Sequence, residues 1–187
     1  MYEAYNNWGN ALRDMAASKG GEEADKLYRQ AVEKYKKGVE IKPDMHEAYN
    51  SWGIALKNLA ASKEGEEAEK LYQQAIEKYE KAVEIKPDMY EAYNNWGIAL
   101  GDMAASKEGE EADELYQQAF EKYEKAIEIK PDNHKAYTNW RIDIEKLAKR
   151  KEGEEADRLY QQAMQLKERA KVAKHQVAYA HLSLSGS

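Results

Sequence analysis

Met89 to Asp132 reads MYEAYNNWGIALGDMAASKEGEEADELYQQAFEKYEKAIEIKPD, and the same stretch, modestly changed, occurs four times in the 187 residues. Met1, Met45, Met89 and Asn133 are equivalent positions, 44 residues apart at every step. A fixed period of this size marks a stacked array, because one such unit cannot bury its apolar face alone. The expected organisation is one solenoid over residues 1–182, with repeats at 1–44, 45–88, 89–132 and 133–176. The last helix is expected to extend to about 182, leaving a flexible tail at 183–187 (LSGS at its end).

Within the quoted stretch, Tyr93, Trp96, Gly97, Leu100, Met103 and Ala104 recur at helical steps and predict helix A from Met89 to Ser106. Ala112, Leu115, Tyr116, Ala119, Tyr123, Ala126 and Ile127 predict helix B from about Glu110 to Ile129. Gly109 lies between them, with Gly21, Gly65 and Gly153 in the same place, and is expected to close helix A in the left-handed conformation. Acids open helix B and lysines lie towards its end, which suits the helix dipole.

The three prolines, Pro43, Pro87 and Pro131, all fall at repeat joints, where each stops helix B. Asp44 and Asp88 follow as expected N-caps, with Glu47 and Glu91 at capping-box spacing. Asp132 keeps its place at the last joint, but Lys135 replaces the acid. The first repeat starts without a cap, and an array that opens in register with its own boundary reads as trimmed, duplicated or designed.

Composition narrows the function. A net charge of −6 argues against nucleic acid, which needs a basic face. No run is long and apolar enough to span a bilayer, and no signal peptide follows Met1, so a cytoplasmic protein without membrane partners is expected. The absence of cysteine excludes disulfides, thiol nucleophiles and thiolate metal sites. His46, His134, His175 and His181 share no metal-ligand spacing. No phosphate loop or nucleophile motif is present, so no enzyme, no metal and no cofactor is expected.

The unit resembles the tetratricopeptide repeat, whose pattern runs through two large residues, Gly, a further large residue, Ala, an aromatic and a late Pro. Tyr93, Trp96, Gly97, Leu100, Ala119, Tyr123, Ala126 and Pro131 carry it in the third repeat. Tyr49, Trp52, Gly53, Leu56, Ala75, Tyr79, Ala82 and Pro87 carry it in the second. The first has Tyr5, Trp8, Gly9, Leu12, Ala31 and Tyr35, with Gly38 in place of the late Ala. The resemblance covers essentially the whole chain and implies an all-α, right-handed α-solenoid of four helix-turn-helix repeats with a long C-terminal helix. Two departures stand out. The ordinary unit is about 34 residues, so both helices are lengthened around their connection. In the fourth repeat Arg141 replaces the Gly, Lys167 the aromatic, and no Pro follows, so Arg141 must point out of the contact or loosen it, and the repeat reads as a terminal cap.

In that family helix A lines the concave face and ligands are often extended peptides. By position this implies two peptide-binding rows, Asn6, Asn50, Asn94 and Thr138, and Asn7, Ser51, Asn95 and Asn139. Side-chain amides offer donors and acceptors to a peptide backbone; the competing reading has them solvate the face or bridge repeats. The family's carboxylate clamp needs cations here, whereas Glu3, Glu47 and Glu91 precede the first row. A basic or neutral peptide is therefore favoured. Trp8, Trp52, Trp96 and Trp140, and Tyr28, Tyr72, Tyr116 and Tyr160, hold helical phase and read as core.

Ala163, Leu166, Ala170, Ala173, Val177, Ala180 and Leu184 form a heptad seam on the last helix. Its first half covers the preceding helix pair, and the part beyond Ala173 is expected to pack on another copy or to fray. The first helix A should present Tyr5 and Trp8 to solvent. Ala170, Ala173, Val177 and Ala180, with Tyr5 and Trp8, are the expected self-association residues. The leading function is a non-catalytic scaffold that binds protein or peptide partners on the helix-A face. The alternative is a self-assembling structural protein, a homo-oligomer built through the solenoid ends and the C-terminal helix.

Overall fold

The computed structural model describes residues 1–184, with side chains described to 177. Eight helices follow one another: α1 (Tyr2–Ala17), α2 (Gly21–Ile41), α3 (His46–Ala60), α4 (Gly65–Ile85), α5 (Tyr90–Ala105), α6 (Gly109–Ile129), α7 (His134–Ala148) and α8 (Gly153–Leu184). They pair as α1/α2, α3/α4, α5/α6 and α7/α8, and each pair stacks on the next through its second helix against the following first helix. The expected all-α solenoid of four helix pairs is what the chain forms.

Each pair is locked by a ring set into a gap. A Cβ on Gly9, Gly53 or Gly97 would lie 2.6, 2.5 or 2.6 Å from the ring of Tyr35, Tyr79 or Tyr123, so the absent methyl lets the second helix press its tyrosine onto the first. The three rings are fully or almost fully buried. In the fourth pair both halves change together. Arg141 lies along its own helix and bonds Glu145 (Nη1 to Oε1, 2.5 Å), and the exposed Lys167 brings no ring to the position Arg141 occupies.

The ends of the helices depart from the sequence expectation in two ways. Residues Met45, Met89 and Asn133, not the preceding aspartates, are the N-caps. Pro-Asp forms a turn instead, and the N–H of His46, Tyr90 and His134 donates back to the carbonyl of Asp44, Asp88 and Asp132 at 3.2, 3.0 and 2.9 Å. The helix therefore begins one residue late, Glu47 and Glu91 fall in its first turn, and no capping box forms at the aspartates. Asn133 does cap, its Oδ1 accepting from the N–H of Ala136 at 3.3 Å.

The glycines at the A–B connection open helix B; they do not close helix A. Gly109 has φ +59° at the start of α6, while α5 ends at Ala105 and is capped by Ser106, whose Oγ donates to the Met103 carbonyl at 2.7 Å. At the far end α8 runs to Leu184, two residues past the expected limit, and residues 185–187 lie outside the described part.

Candidate interaction surface

The first helices of successive pairs touch one another (α1 with α3, α3 with α5, α5 with α7), whereas the second helices stand further apart, bridged between α2 and α4 by the exposed Arg29–Glu67 bond at 3.2 Å. The first-helix layer is therefore the inner, tighter side of the curve. Both expected peptide rows lie on it, and the structure joins them to each other. Asn95 Nδ2 donates to Asn50 Oδ1 at 3.0 Å, and Asn139 Nδ2 donates to Asn94 Oδ1, also at 3.0 Å. Each bond crosses a joint between repeats, so the bridging role stated for these amides is present.

Bridging does not use the amides up. On α5 the Oδ1 of Asn94 is taken and its NH2 faces away from that bond, while Asn95 gives its NH2 and keeps its Oδ1. Adjacent residues thus hold one oriented donor and one oriented acceptor at the inner face. The series fails at the first joint, because Ser51 stands where Asn95 and Asn139 stand, and its side chain is shorter. Asn6 Oδ1 is buried there without a partner. Asn7 is exposed, Asn50 and Ser51 are buried, and Thr138 turns its hydroxyl onto the His134 carbonyl at 2.8 Å.

Two cavities open along this edge. One of about 310 Å³ lies at the first joint, lined by Glu3, Asn6, Asn7, Asp44 and Glu47 with Lys42. Its counterpart at the last joint, about 510 Å³, is lined by Glu91, Asn94, Asn95, Lys130 and Lys135, with Val177 from the α8 extension. The first is acidic, and the second carries more compensating lysine.

The self-association residues separate. Ala173 is buried in the chain's own core with Leu166 and Tyr137, and Ala170 packs partly against that cluster. Tyr5 is half-buried, Trp8 is 54% exposed, and Ala180 falls among residues whose side chains are not described.

One group on this layer escaped the sequence reading. Asp143 on α7 is 3% exposed, and its Oδ2 accepts from the Tyr123 hydroxyl at 2.7 Å while Oδ1 accepts from Lys146 Nζ at 2.8 Å. It sits in the space left by Gly101, whose missing Cβ would lie 2.0 Å from Oδ2. Burial holds the Asp143 carboxyl above its ordinary range, against the pull of the Lys146 bond. Asp102, half-buried, is raised chiefly by the same cause. The signal was available. Asp143 stands where the earlier repeats have Ala11, Ala55 and Ala99, and Gly101 where they have Arg13 and Lys57, two departures that fit one another. Among the described residues no three His, Cys, Asp or Glu are placed to hold a metal, and no helix is long and apolar enough to cross a membrane.

Residues 2–94 match the family described as plant specific mitochondrial import receptor subunit TOM20. No curated protein matches the chain. Among solved structures, the first tetratricopeptide domain of Spaghetti (RPAP3), bound to the HSP90 peptide SRMEEVD, is similar at 20% identity and TM-score 0.52, over 76% of this chain and 95% of that one. The fold is that of the tetratricopeptide repeat. The array also resembles the crystal structure of MamA at 21% identity and TM-score 0.66, over 95% of this chain and 81% of that one. A second MamA structure, residues 41 to the end from Desulfovibrio magneticus RS-1, is similar at 18% identity and TM-score 0.60, over 90% and 76% of the two chains. This tetratricopeptide array differs from the usual unit in length, its second helices running 21 residues in each of the first three repeats.

Proposed function

We propose that the chain is a protein-interaction scaffold whose inner face holds an extended, basic or neutral peptide segment of a partner protein. The observation that carries the reading is the pair of amide bridges Asn95–Asn50 and Asn139–Asn94. They fix the amides of α5 so that a donor and an acceptor remain side by side, which matches the alternating C=O and N–H of an extended backbone. Preorganised side chains lose little entropy on binding. Charge supplies the preference: Glu3, Glu47 and Glu91 are exposed along this face, and the first cavity adds Asp44. An acidic tail such as the SRMEEVD held by the RPAP3 domain would meet carboxylates here. The receptor description of the family that matches residues 2–94 supports a polypeptide partner.

Fluorescence anisotropy with labelled nine-residue peptides of basic, neutral and acidic composition tests this. Basic or neutral peptides should bind, and the Asn50→Ala, Asn94→Ala double variant should weaken them about tenfold or more, the cost of losing buried polar contacts at a binding face. Equal or tighter binding of the acidic set, or indifference to the double variant, would overturn the proposal.

A further inference from the structure

Every internal joint of the array is built on one template. A tryptophan of the incoming first helix packs on the outgoing second helix, as Trp140 does on Phe120 with ring centroids 6.2 Å apart. A lysine of the incoming A–B loop reaches back to an acid on that second helix: Lys63 to Asp25, Lys107 to Glu69 at 2.8 Å, and Lys151 to Asp113. At the first joint Ser62 adds a bond to Asp25 at 2.7 Å, and Asn58 Nδ2 meets the Tyr28 hydroxyl at 3.3 Å. The tyrosines at these joints, Tyr28, Tyr72 and Tyr116, are all buried.

The two ends of the chain carry the two unmatched halves of this template. One repeat step back from the second repeat, Trp52, Asn58, Ser62 and Lys63 become Trp8, Asp14, Ser18 and Lys19. Three steps forward from the first, Asp25, Tyr28 and Val32 become Asp157, Tyr160 and Met164. All of these end residues are exposed, Tyr160 at 42% and Met164 at 69%, and Trp8 fronts an open cavity of about 550 Å³ with Leu12. Among the described residues Asp157 has no ion-pair partner.

We propose that a second copy of this chain docks head to tail, α1 of one copy against α8 of the other, in the register of an internal joint. Trp8 then covers Met164, Ser18 and Lys19 meet Asp157, and the Asp14 carboxylate accepts from the Tyr160 hydroxyl. The charges fit: Lys19 on one end meets Asp157 on the other, and Asp14 meets a neutral hydroxyl, so the complementary pairs form only between opposite ends. A contact of this kind is heterologous and propagates instead of closing on a two-fold axis. Val177, on the α8 extension, lines the inner-face cavity at the last joint with Tyr90 and Lys135. One position sets the strength. Lys171 stands where internal joints have Val39, Val83 and Ile127, so less apolar surface is covered than inside the array. Association is therefore reversible and concentration-dependent.

Light scattering after size exclusion tests this with the full chain. The wild type should rise above its 21.5 kDa as concentration increases. Trp8→Asp blocks one end and Met164→Asp the other. Each variant alone should stay monomeric with unchanged helical circular dichroism, and their mixture should give a 1:1 dimer that grows no further. Asp157→Lys or Lys19→Asp should each weaken wild-type association about tenfold, as for a paired charge at an interface, and the two together in one chain should restore it. A wild type that stays monomeric to millimolar concentration, a blocked variant that still dimerises alone, or a mixture that does not pair would overturn the proposal.

Discussion

The Cβ that Gly97 lacks would lie 2.6 Å from Cε1 of Tyr123, a ring only 1% exposed with no free side to move towards. Gly97→Ala gains about 1 kcal/mol of helix propensity but overfills the contact, which costs about 1–3 kcal/mol. Net destabilisation is expected, read as a lower urea midpoint. Arg141→Ala, at the equivalent position of the fourth repeat, should shift the midpoint little, because Lys167 brings no ring to it. An equal loss in both variants would refute this account of the glycine.

Gly101 and Asp143 form a second matched pair, across a joint instead of within a repeat. A methyl at Gly101 would meet the Asp143 carboxylate at 2.0 Å, and that carboxylate is held by Tyr123 and Lys146. Gly101→Ala should therefore destabilise strongly in the wild type and much less when Asp143 is already Ala. A double-mutant cycle by chemical denaturation should give a coupling of about 2 kcal/mol. Simple additivity would show that the two positions do not share this space.

The pH dependence of Asp143 has a definite sign. Its folded carboxyl titrates above the ordinary 3.8 because burial outweighs the bonds from Lys146 and Tyr123. The folded chain thus holds this proton to higher pH than the unfolded chain, and stability falls as pH rises from the ordinary value to the raised one. Below both values the two states are equally protonated and the contribution is flat. Asp143→Asn removes the titration, so the stability of the wild type relative to the variant should decline as pH rises above the ordinary 3.8. Asp25 and Asp132 are held low by Lys63 and Lys130 and act oppositely, but both chains carry them, so they cancel in the difference. A relative stability that rises with pH would reverse the assignment.

The inner amides should not be equivalent. Asn50→Ala strands the Asn95 NH2 at a half-buried joint, a loss of about 1 kcal/mol. Asn6→Ala removes a buried oxygen that has no partner and should be neutral or slightly stabilising. Thermal or urea midpoints of the two variants settle the contrast, and equal losses would refute it.

The architecture was legible because it repeats. Four copies of one pattern fix helix number and pairing, since each position is read several times over, whereas the seating of each tyrosine on a glycine shows only in the structure. The helix starts were misplaced by one residue because an aspartate before a helix satisfies the same spacing whether it caps or turns. Here Pro-Asp turns, and Met45 and Met89 cap without a side-chain bond. Gly109 reads as the end of helix A for a similar reason, as a left-handed glycine serves either side of a short connection, and here it opens helix B. The sequence places the amides in two rows and allows them to bridge repeats, but it does not say which amide meets which, because the partner of Asn95 is 45 residues away on another helix. Asp143 was missed although it and Gly101 both break the repeat, since either departure alone reads as drift.

The bonds that cross joints span modest distances along the chain: 30 residues from Tyr28 to Asn58, 38 from Arg29 to Glu67 and 46 from Ala104 to Arg150. Among the described residues, no helix touches one more than two places away in chain order. Any two neighbouring repeats thus contain every kind of contact the molecule uses, and closing them asks for no long loop. Such low contact order predicts folding in milliseconds or faster, on the order of helical bundles, starting from whichever neighbouring pair forms first and spreading to both sides.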